Sequence, residues 1–393
     1  MSVDKIFIKS FLNNFEEESF SVKLWDEEEI KVGQDEPLFK VTLNKPIPKK
    51  ELLSSATLAF GEAYMDGNLQ VEGDFLTMLN TVLKYKSKFP TDFKGLPKIF
   101  SNLTSQKKQK EEVSYHYDLG NDFYSLWLDD TMSYSCGYFK NENDSLYDAQ
   151  MNKIHHLLKK LNLKEGQSLL DIGCGWGSLL IEAAKNYKVK GLGITLSEEQ
   201  YKKFKSRIEE ENLQDYLDVK LMDYRELEKS ELSFDRVVSV GMLEHVGRPN
   251  YDLFMRNVSK VLKKEGIFVL HYISGLVESE GDAWMRKYIF PGGVIPSLRE
   301  IVSLSADYKF YTIDIESLRT HYMKTPLLKW AENFENNIDT VREMFDERFV
   351  RMWTMYLYSC AACFNTGVID LHQIVFTNGV NNSNPLTRDY LYR

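Results

Sequence analysis

A glycine-rich turn at the end of a short apolar segment constrains this chain more than any other feature. Ser168–Ile172 has the composition of a buried strand, and Gly173, Gly175 and Gly177 follow it at alternate positions. Glycines at the end of a strand let the backbone turn sharply and approach a ligand closely. Asp171 lies just before the first glycine, and the spacing is Gly-x-Gly-x-Gly. The turn therefore predicts a ligand site, and a tight turn without a ligand is the less favoured interpretation.

Strand-like and helix-like segments alternate along the chain after residue 150. The predicted strands are 168–172, 189–195, 217–222, 234–240 and 266–273. Helical patterns cover 150–161 and 179–187, and another helix begins at Ser197. This alternation predicts βαβ units and a mostly parallel sheet, which binds ligands at the carboxyl ends of its strands.

The glycine turn resembles the first motif of the class I S-adenosylmethionine-dependent methyltransferases. In that class, the acidic residue at the strand end anchors the methionine end of the cofactor or orders the loop. The resemblance implies that S-adenosylmethionine is the cofactor. It also implies a first group of residues in contact with this cofactor: Tyr134, Ser135, Asp171, Gly173, Gly175, Trp176 and Gly177.

The next two strands end in polar residues that suit the nucleoside part of such a cofactor. The second strand usually ends in an acidic residue that holds the ribose hydroxyls, and Thr195 stands there in this chain. Gln200 can take over that role, because an amide can hydrogen-bond to a diol. Adenine is normally held after the third strand. We therefore expect a second group of cofactor residues: Thr195, Leu196, Ser197, Gln200, Asp223 and Tyr224.

Several motifs, taken together and in order, resemble the cyclopropane fatty acid synthases, which include the mycolic acid cyclopropane synthases. They are residues 115–122 (YHYDLGND), 134–139 (YSCGYF), 170–177 (LDIGCGWG), 195–200 (TLSEEQ), 240–247 (VGMLEHVG) and 288–293 (YIFPGG). The resemblance covers about 114–376. Residues 61–67 (GEAYMDG) resemble the N-terminal domain of the branch that acts on phospholipids. The implied fold is a class I methyltransferase (Rossmann-like) α/β domain with a smaller N-terminal α+β domain.

The resemblance implies the transfer of a methylene group across the cis double bond of an unsaturated phospholipid acyl chain. Attack of the alkene on the sulfonium methyl leaves a carbocation, so a base is needed and water must be excluded. By resemblance, that base is a bicarbonate ion held by Glu244, His271, Tyr322 and the backbone amides of Cys136 and Ile273. Backbone N–H groups are suitable donors to a small anion.

The cysteines and the isolated acid–base residues also have ordinary interpretations. Cys360 and Cys363 lie within 352–364, which has the pattern of one helix, so the two thiols share a face. Cys360 matches a cysteine with a suspected catalytic role in the family, but a thiolate has no clear task in this reaction. We therefore favour a structural or tunnel-lining role for it. Glu244 and His271 could each be buried core residues, and their catalytic roles rest on the resemblance.

The chain divides into an N-terminal lipid-facing domain over 1–101, a linker over 102–113 and a catalytic domain over 114–393. The apolar residues of the N-terminal segment fall at helical spacing: Ile8, Phe11, Leu12 and Phe15. Packing on its own domain is favoured over contact with a membrane. The sequence shows no signal peptide and no apolar run of ~18 residues, and four cysteines without a pair pattern indicate reduced thiols. We expect a cytoplasmic homodimer that associates peripherally with the inner leaflet.

Charge and composition narrow the alternatives. A net charge of −9 disfavours nucleic acid as a partner, because phosphate binding needs clustered Lys and Arg. One alternative is a C-methyltransferase that acts on a lipid or a small molecule without closing a ring. Another is a lipid-binding or regulatory protein that kept the fold and lost the chemistry, and the presence of Glu244, His271 and Tyr322 disfavours it. No residue pattern predicts a metal site.

Overall fold

The computed structural model describes residues 3–15, 17–85, 119–324 and 326–392. The predicted linker over 102–113 lies outside these residues, as does the first half, 115–118, of the motif at 115–122. The described residues form two compact units. The first takes its residues from Met1–Phe100, Asp282–Ile289 and Trp330–Val368, and the second from Ser101–Gly281, Phe290–Lys329 and Ile369–Arg393. Two segments that follow residue 114 thus belong to the first unit, through contacts between residues far apart in sequence.

A four-stranded sheet with the order β2-β1-β3-β4 forms the centre of the first unit. Its strands are β1 Phe20–Lys23, β2 Glu29–Val32, β3 Phe39–Leu43 and β4 Leu69–Gly73. The pairing of β1 with β3 is parallel, and the other two pairings are antiparallel. The helices of this unit are Val3–Leu12, Asn13–Phe15 (a 3-10 turn), Lys49–Ser54, Ala56–Met65, Phe75–Lys84, Ala283–Tyr288, Ile338–Met344 and Glu347–Asn365, and Pro326–Asn336 includes the boundary at Trp330.

The N-terminal helix packs its apolar face into the core of this unit. Ile8, Leu12 and Phe15 are buried there, and the ring of Phe15 makes an edge contact with Phe20 at 5.6 Å between centroids. Phe20 in turn stacks on Phe39 at 4.9 Å. Burial of each large apolar side chain contributes ~2 kcal/mol. The prediction that this helix packs on its own domain is confirmed.

The segment Ala283–Tyr288 joins the first unit by a close contact at a glycine. A Cβ atom on Gly61 would lie 2.3 Å from the indole ring of Trp284, so no larger residue fits at that position of the helix. Ion pairs add to this contact, with Lys287 bonded to Glu62 at 2.5 Å. They are exposed at the surface, where such pairs contribute little. The buried Trp284 therefore carries most of the attachment.

A seven-stranded sheet with the order β10-β11-β9-β8-β5-β6-β7 forms the centre of the second unit. Its strands are β5 Ser168–Ile172, β6 Lys190–Thr195, β7 Leu217–Leu221, β8 Phe234–Val240, β9 Leu262–Gly275, β10 Phe310–Ser317 and β11 Ile369–Asn378. The strands β5 to β9 pair in parallel, whereas β11 is antiparallel to both β9 and β10. The predicted, mostly parallel sheet is confirmed. The strand β9 is longer than predicted at both ends: its start at Leu262 pairs with Phe234 of β8, and β11 pairs with its other end as far as Gly275.

Helices cover both faces of this sheet. They are Asn121–Ser125, Leu146–Lys160, Ser178–Tyr187, Glu198–Glu210, Leu243–Val246, Tyr251–Val261, Leu298–Asp307, Arg319–Lys324 and Asp389–Tyr392, with 3-10 turns at Tyr224–Lys229 and Arg248–Asn250. Leu170 belongs to one apolar core and Leu169 to the other, as the alternation of side chains along a strand requires. None of the helices in the described parts of the chain is long and apolar enough to cross a membrane.

Candidate active site

The glycine turn after β5 combines close packing with an open backbone. Gly173, Gly175 and Gly177 have φ values of 81°, 54° and 87°, which strain any residue with a Cβ atom. A Cβ on Gly177 would lie 2.0 Å from the ring of Phe204, and one on Gly173 would lie 2.8 Å from Met242. Gly175 faces open space. The outer glycines therefore allow tight packing, and the middle one leaves the turn accessible to a ligand.

A pocket opens at the carboxyl ends of β5, β6 and β8. The predicted cofactor residues that line it are Tyr134, Ser135, Asp171, Gly173, Gly175, Trp176, Gly177, Thr195, Leu196, Gln200 and Tyr224. Trp176 is fixed by its indole N–H, which donates to Asn121 Oδ1 at 2.7 Å. Residues from separate segments of the sequence thus meet around one space, as the predicted topology requires.

The remaining two predicted cofactor residues hold the lining in place. Ser197 is fully buried, and its N–H donates to Thr195 Oγ1 at 3.2 Å. Thr195 Oγ1 donates to Gln200 Oε1 at 2.8 Å, which leaves the amide NH₂ of Gln200 as the donor for a ligand. Asp223 forms an ion pair with Arg225 at 2.6 Å. The carboxylate of Asp223 is therefore already engaged, and its direct contact with adenine stays a prediction.

Two buried charged groups stand beside the glycine turn. Asp171 is buried, and its Oδ1 has no hydrogen-bond partner in the structure. Burial raises the pKa of Asp171 to about 7, although Lys153 acts in the opposite direction. Lys153 lines the pocket and donates to Ser135 Oγ at 3.0 Å, and burial lowers its pKa to about 8. Both groups are thus able to change charge near neutral pH.

Sequence reasoning missed Lys153. The signal for it was its place on the apolar face of the helix Leu146–Lys160, four residues after Ala149 and four before Leu157. A lysine on such a face is either paired or functional, because its burial is costly. Met242 and His245, two residues before Glu244 and one after it, also line the pocket, although neither was among the predicted cofactor residues.

Glu244 lies directly after β8, in the short helix Leu243–Val246. Its Oε1 accepts from the N–H of Ile273 at 2.6 Å, and its Oε2 is buried without a hydrogen-bond partner in the structure. Burial raises the pKa of Glu244 to about 7, against the effect of the Ile273 N–H. A carboxyl group with this pKa and one uncommitted oxygen can exchange hydrogen bonds and protons with a ligand near pH 7.

His271 lies on β9, two residues before Ile273, so the two side chains share a face of the sheet. Its Nδ1 lies 3.0 Å from Gln373 Nε2, whereas its Nε2 is buried without a hydrogen-bond partner in the structure. Burial, together with the positive charges of Lys153 and Lys160, lowers the pKa of His271 well below the usual range. The imidazole is therefore neutral at physiological pH.

Cys136 and Tyr322 meet at one backbone carbonyl. The carbonyl oxygen of Leu318 accepts the N–H of Tyr322 at 3.3 Å and lies 4.0 Å from Cys136 Sγ. The N–H of Leu318 donates to Leu371, which is paired with Ile273 in the sheet. Both residues are thereby tied to the strand that carries His271. Burial raises the pKa of the Cys136 thiol, so a role for its backbone is more plausible than one for a thiolate.

Cys360 lies in the first unit, on the helix Glu347–Asn365. The prediction of one continuous helix over 352–364 is confirmed. Burial raises the pKa of the Cys360 thiol well above its usual value, so it remains protonated. This favours the structural or tunnel-lining interpretation, and a catalytic role for Cys360 stays an untested prediction.

The sheet order, the glycine turn and the pocket beside it define an S-adenosylmethionine-dependent transferase of the class I methyltransferase fold. A solved mycolic acid cyclopropane synthase, in complex with SAH (S-adenosylhomocysteine) and CTAB, superimposes with a TM-score of 0.64 at 31% identity. The match covers 68% of this chain and 98% of that one.

Family comparisons are more specific than the fold. The family model for mycolic acid cyclopropane synthetase matches residues 104–374, and a model for a domain of unknown function matches 7–94. The cyclopropane-fatty-acyl-phospholipid synthase of Escherichia coli K12 is 42% identical, over 85% of this chain and 86% of its own. A probable fatty acid methyltransferase of Pseudomonas putida is 36% identical, over 95% of this chain and 96% of its own. The chain belongs to the mycolic acid cyclopropane synthetase family.

Proposed function

We propose that this enzyme transfers a methylene group from S-adenosylmethionine across the cis double bond of an unsaturated phospholipid acyl chain, and so forms a cyclopropane fatty acid. The observation that carries the proposal is the pair of unsatisfied buried atoms, Glu244 Oε2 and His271 Nε2. Buried polar atoms normally have partners, so this pair indicates a small polar ligand. Met242 and His245, two residues before Glu244 and one after it, line the cofactor pocket, which supports placing Glu244 near the site of methyl transfer.

The pocket residues fit S-adenosylmethionine. Asp171 Oδ1 has no partner in the structure and can accept from the ammonium group of the methionine end. Gln200 and Thr195 can bond the ribose, and the ring of Tyr224 can pack against the adenine. The bound cofactor supplies an electrophilic methyl group. The residues of this pocket bind it and orient it toward the acyl chain.

Bicarbonate fits the second site because it both donates and accepts hydrogen bonds. His271 Nε2–H would donate to it, and Glu244 Oε2 would accept from it. The backbone amide of Cys136 and the side chain of Tyr322 complete the proposed set. The N–H of Ile273, also predicted to hold the anion, already donates to Glu244 Oε1 and so orients that carboxyl group instead. When bound, bicarbonate supplies the base that the reaction requires once the carbocation has formed.

The protein stabilises the carbocation by excluding positive charge and bulk water from the proposed site. Because His271 is neutral, it adds no positive charge to a site where a cation must develop. Burial of His271 and of Glu244 Oε2 also excludes bulk water, which would otherwise hydrate the cation. A neutral donor and a carboxyl group of near-neutral pKa therefore suit this reaction.

Exposed apolar residues near the proposed site support access of a lipid acyl chain from a membrane. Leu276 and Val277 follow the end of β9 and are 86% and 57% exposed. Apolar side chains in such a position support contact with lipid within four residues of Ile273. We propose peripheral association at the cytoplasmic membrane surface, and a homodimer, which vesicle flotation and analytical ultracentrifugation would test.

The test of function is to incubate the purified protein with S-adenosylmethionine, bicarbonate and vesicles of cis-monounsaturated phospholipid. Fatty acid methyl esters are then analysed by gas chromatography and mass spectrometry, with saturated vesicles as the control. A species heavier by one CH₂ and without an alkene is expected. A heavier species that retains an alkene would instead support the C-methyltransferase alternative. Unchanged esters, with cofactor binding intact, would contradict the lipid substrate.

A further inference from the structure

A series of hydrogen-bonded buried side chains leads to His271 along one face of the sheet, where Gln373 of β11 is its direct partner in the register. Lys160 is fully buried at the end of the helix Leu146–Lys160, and its ammonium group is hydrogen-bonded to the carboxylate of Glu316. The same Nζ donates to Gln373 Oε1 at 2.7 Å, and Gln373 Nε2 lies 3.0 Å from His271 Nδ1. His156 holds Glu316 from a further direction, at 2.7 Å.

Donor and acceptor chemistry allows only one direction for the hydrogen bonds that link Lys160, Gln373 and His271. An ammonium group has donors alone, so Gln373 must present its oxygen to Lys160. The NH₂ group of Gln373 therefore faces His271 and donates to Nδ1, which must be the unprotonated nitrogen. The proton of the neutral imidazole then resides on Nε2, the atom that has no partner in the structure.

We propose that Lys160 and Gln373 are positioning residues that hold His271 in its Nε2–H tautomer, so that it presents a donor to the anion in the active site. The role of this tautomer in binding an anion rests on the proposed function, whereas the tautomer itself does not depend on that function. With the other tautomer, Nε2 would present a lone pair to a negatively charged ligand and would repel it. The hydrogen bonds from Lys160 through Gln373 to His271 thus determine whether the site can bind an anion.

The charges around His271 keep this arrangement constant. Burial acts to raise the pKa of Glu316, but the hydrogen bond from His156 and the charge of Lys160 hold that pKa at about 2. Burial lowers the pKa of Lys160, and Glu316 and Asp314 oppose this. A buried ion pair contributes little net stability compared with apolar residues of the same size. Its presence beneath a catalytic histidine is better explained by orientation than by stability.

The direct test is the tautomer of His271, measured from its ring-nitrogen chemical shifts in protein labelled with ¹⁵N-histidine. The signals are assigned by their loss in His271→Asn. In the wild type, Nδ1 should have the shift of an unprotonated nitrogen and Nε2 that of a protonated one. The reverse pattern in the wild type would overturn the proposal without any variant.

Gln373→Glu changes the direction of the hydrogen bond with almost no change in size. A carboxylate at this position accepts from both Lys160 and His271, so the proton should move to Nδ1 and the two shifts should exchange. The KM for bicarbonate should rise by ~10-fold or more, since a charge-assisted hydrogen bond is lost. An unchanged tautomer in this variant would overturn the proposal. If Gln373→Glu does not fold, Gln373→Met should give a mixture of tautomers.

Asn378→Asp is the matched control. It makes the same amide-to-carboxylate change on the same strand, at the end where Asn378 Nδ2 donates to the carbonyl of Leu262 at 2.6 Å. The tautomer of His271 should not change in this variant. The two proposals fail separately. Predicted shifts without a cyclopropane product would contradict only the function, and a cyclopropane product with the opposite tautomer would contradict only the role of Lys160 and Gln373.

Discussion

The cofactor pocket and the proposed acid–base site are assembled in different ways. Half of the pocket lining comes from two short stretches at the ends of β5 and β6, in which one turn supplies several neighbouring contacts, and five further residues come from 131–135. The acid–base site combines Glu244 after β8, His271 and Ile273 on β9, and Tyr322 after β10. Its support reaches farther, to Gln373 on β11 and to Lys160.

This difference means that the two regions respond differently to substitution. The pocket depends on backbone conformation and on the absence of Cβ atoms, so its sensitive positions are glycines. The acid–base site depends on which buried atoms remain without a protein partner, so its sensitive positions are titratable. Substitutions in one region should leave the other largely intact, because contacts that are not shared give nearly additive effects.

The largest expected effect is on turnover in Glu244→Gln. The amide can still accept from the N–H of Ile273, but it can no longer change its charge. We expect kcat to fall by ~10²–10⁴-fold, the usual loss when acid–base chemistry is removed. Calorimetry should show an S-adenosylmethionine affinity close to that of the wild type. A parallel loss of cofactor affinity would show that the two regions are not separate.

The next effect is on the pocket, in Gly177→Ala. The new methyl group would collide with Phe204, at a backbone φ of 87°. Strain and overpacking of this kind cost ~2–3 kcal/mol in the free energy of unfolding, and the dissociation constant for S-adenosylmethionine should rise. Chemical denaturation and calorimetry measure the two quantities. The double variant Gly177→Ala/Phe204→Leu should recover part of the loss, and no recovery would argue against the clash as its cause.

The pH dependence of stability should separate Glu244→Gln from the wild type. The pKa of Glu244 is raised from 4.5 to about 7, so the folded state binds the proton more tightly than the unfolded state. The contribution of the Glu244 carboxyl group to the free energy of unfolding is therefore fully present below pH 4.5 and is lost as the pH rises toward 7. Between pH 5 and pH 8, the variant should gain ~2 kcal/mol in unfolding free energy relative to the wild type. Equal pH profiles in urea denaturation would show that this carboxyl group is not desolvated.

The smallest effect is expected for Gly175→Ala. The new Cβ meets no neighbour within 4 Å, so the cost comes from the positive φ of 54° alone. Thermal denaturation without cofactor should show a loss of ~1 kcal/mol, less than for Gly177→Ala. A loss as large as that of Gly177→Ala would mean that a Cβ atom at position 175 also clashes with its surroundings.

Local patterns predicted five of the seven strands of the second unit, and β10 and β11 were not predicted. The strands β5 to β8 agree with the predicted segments within a residue or two at either end, because each is an apolar run that ends in a turn. The additional length of β9 could not be predicted, since its start depends on pairing with β8 across a register shift and its end on pairing with β11 about 100 residues later. The packing of Trp284 against Gly61 could not be predicted either, because it is a contact between residues far apart in sequence.

The site shows the same limit. Glycines and polar strand ends revealed the pocket, and Lys153 had a signal in its place on an apolar helix face, whereas Lys160 and Gln373 resemble ordinary helix and strand residues in the sequence. Their importance follows from burial and from partners that only the folded chain brings together. Residues that act through another side chain have no local signal of their own. They can be found only by following the hydrogen bonds of the buried groups.

The most direct test of the central claim uses S-adenosylmethionine with a trideuterated methyl group and vesicles of cis-monounsaturated phospholipid. Ring closure removes one hydrogen from the transferred methyl, so the product ester should retain two deuterium atoms and contain no alkene. This is the result that we predict, and it should disappear in Glu244→Gln. A product with three deuterium atoms, or one that still contains an alkene, would contradict cyclopropane formation.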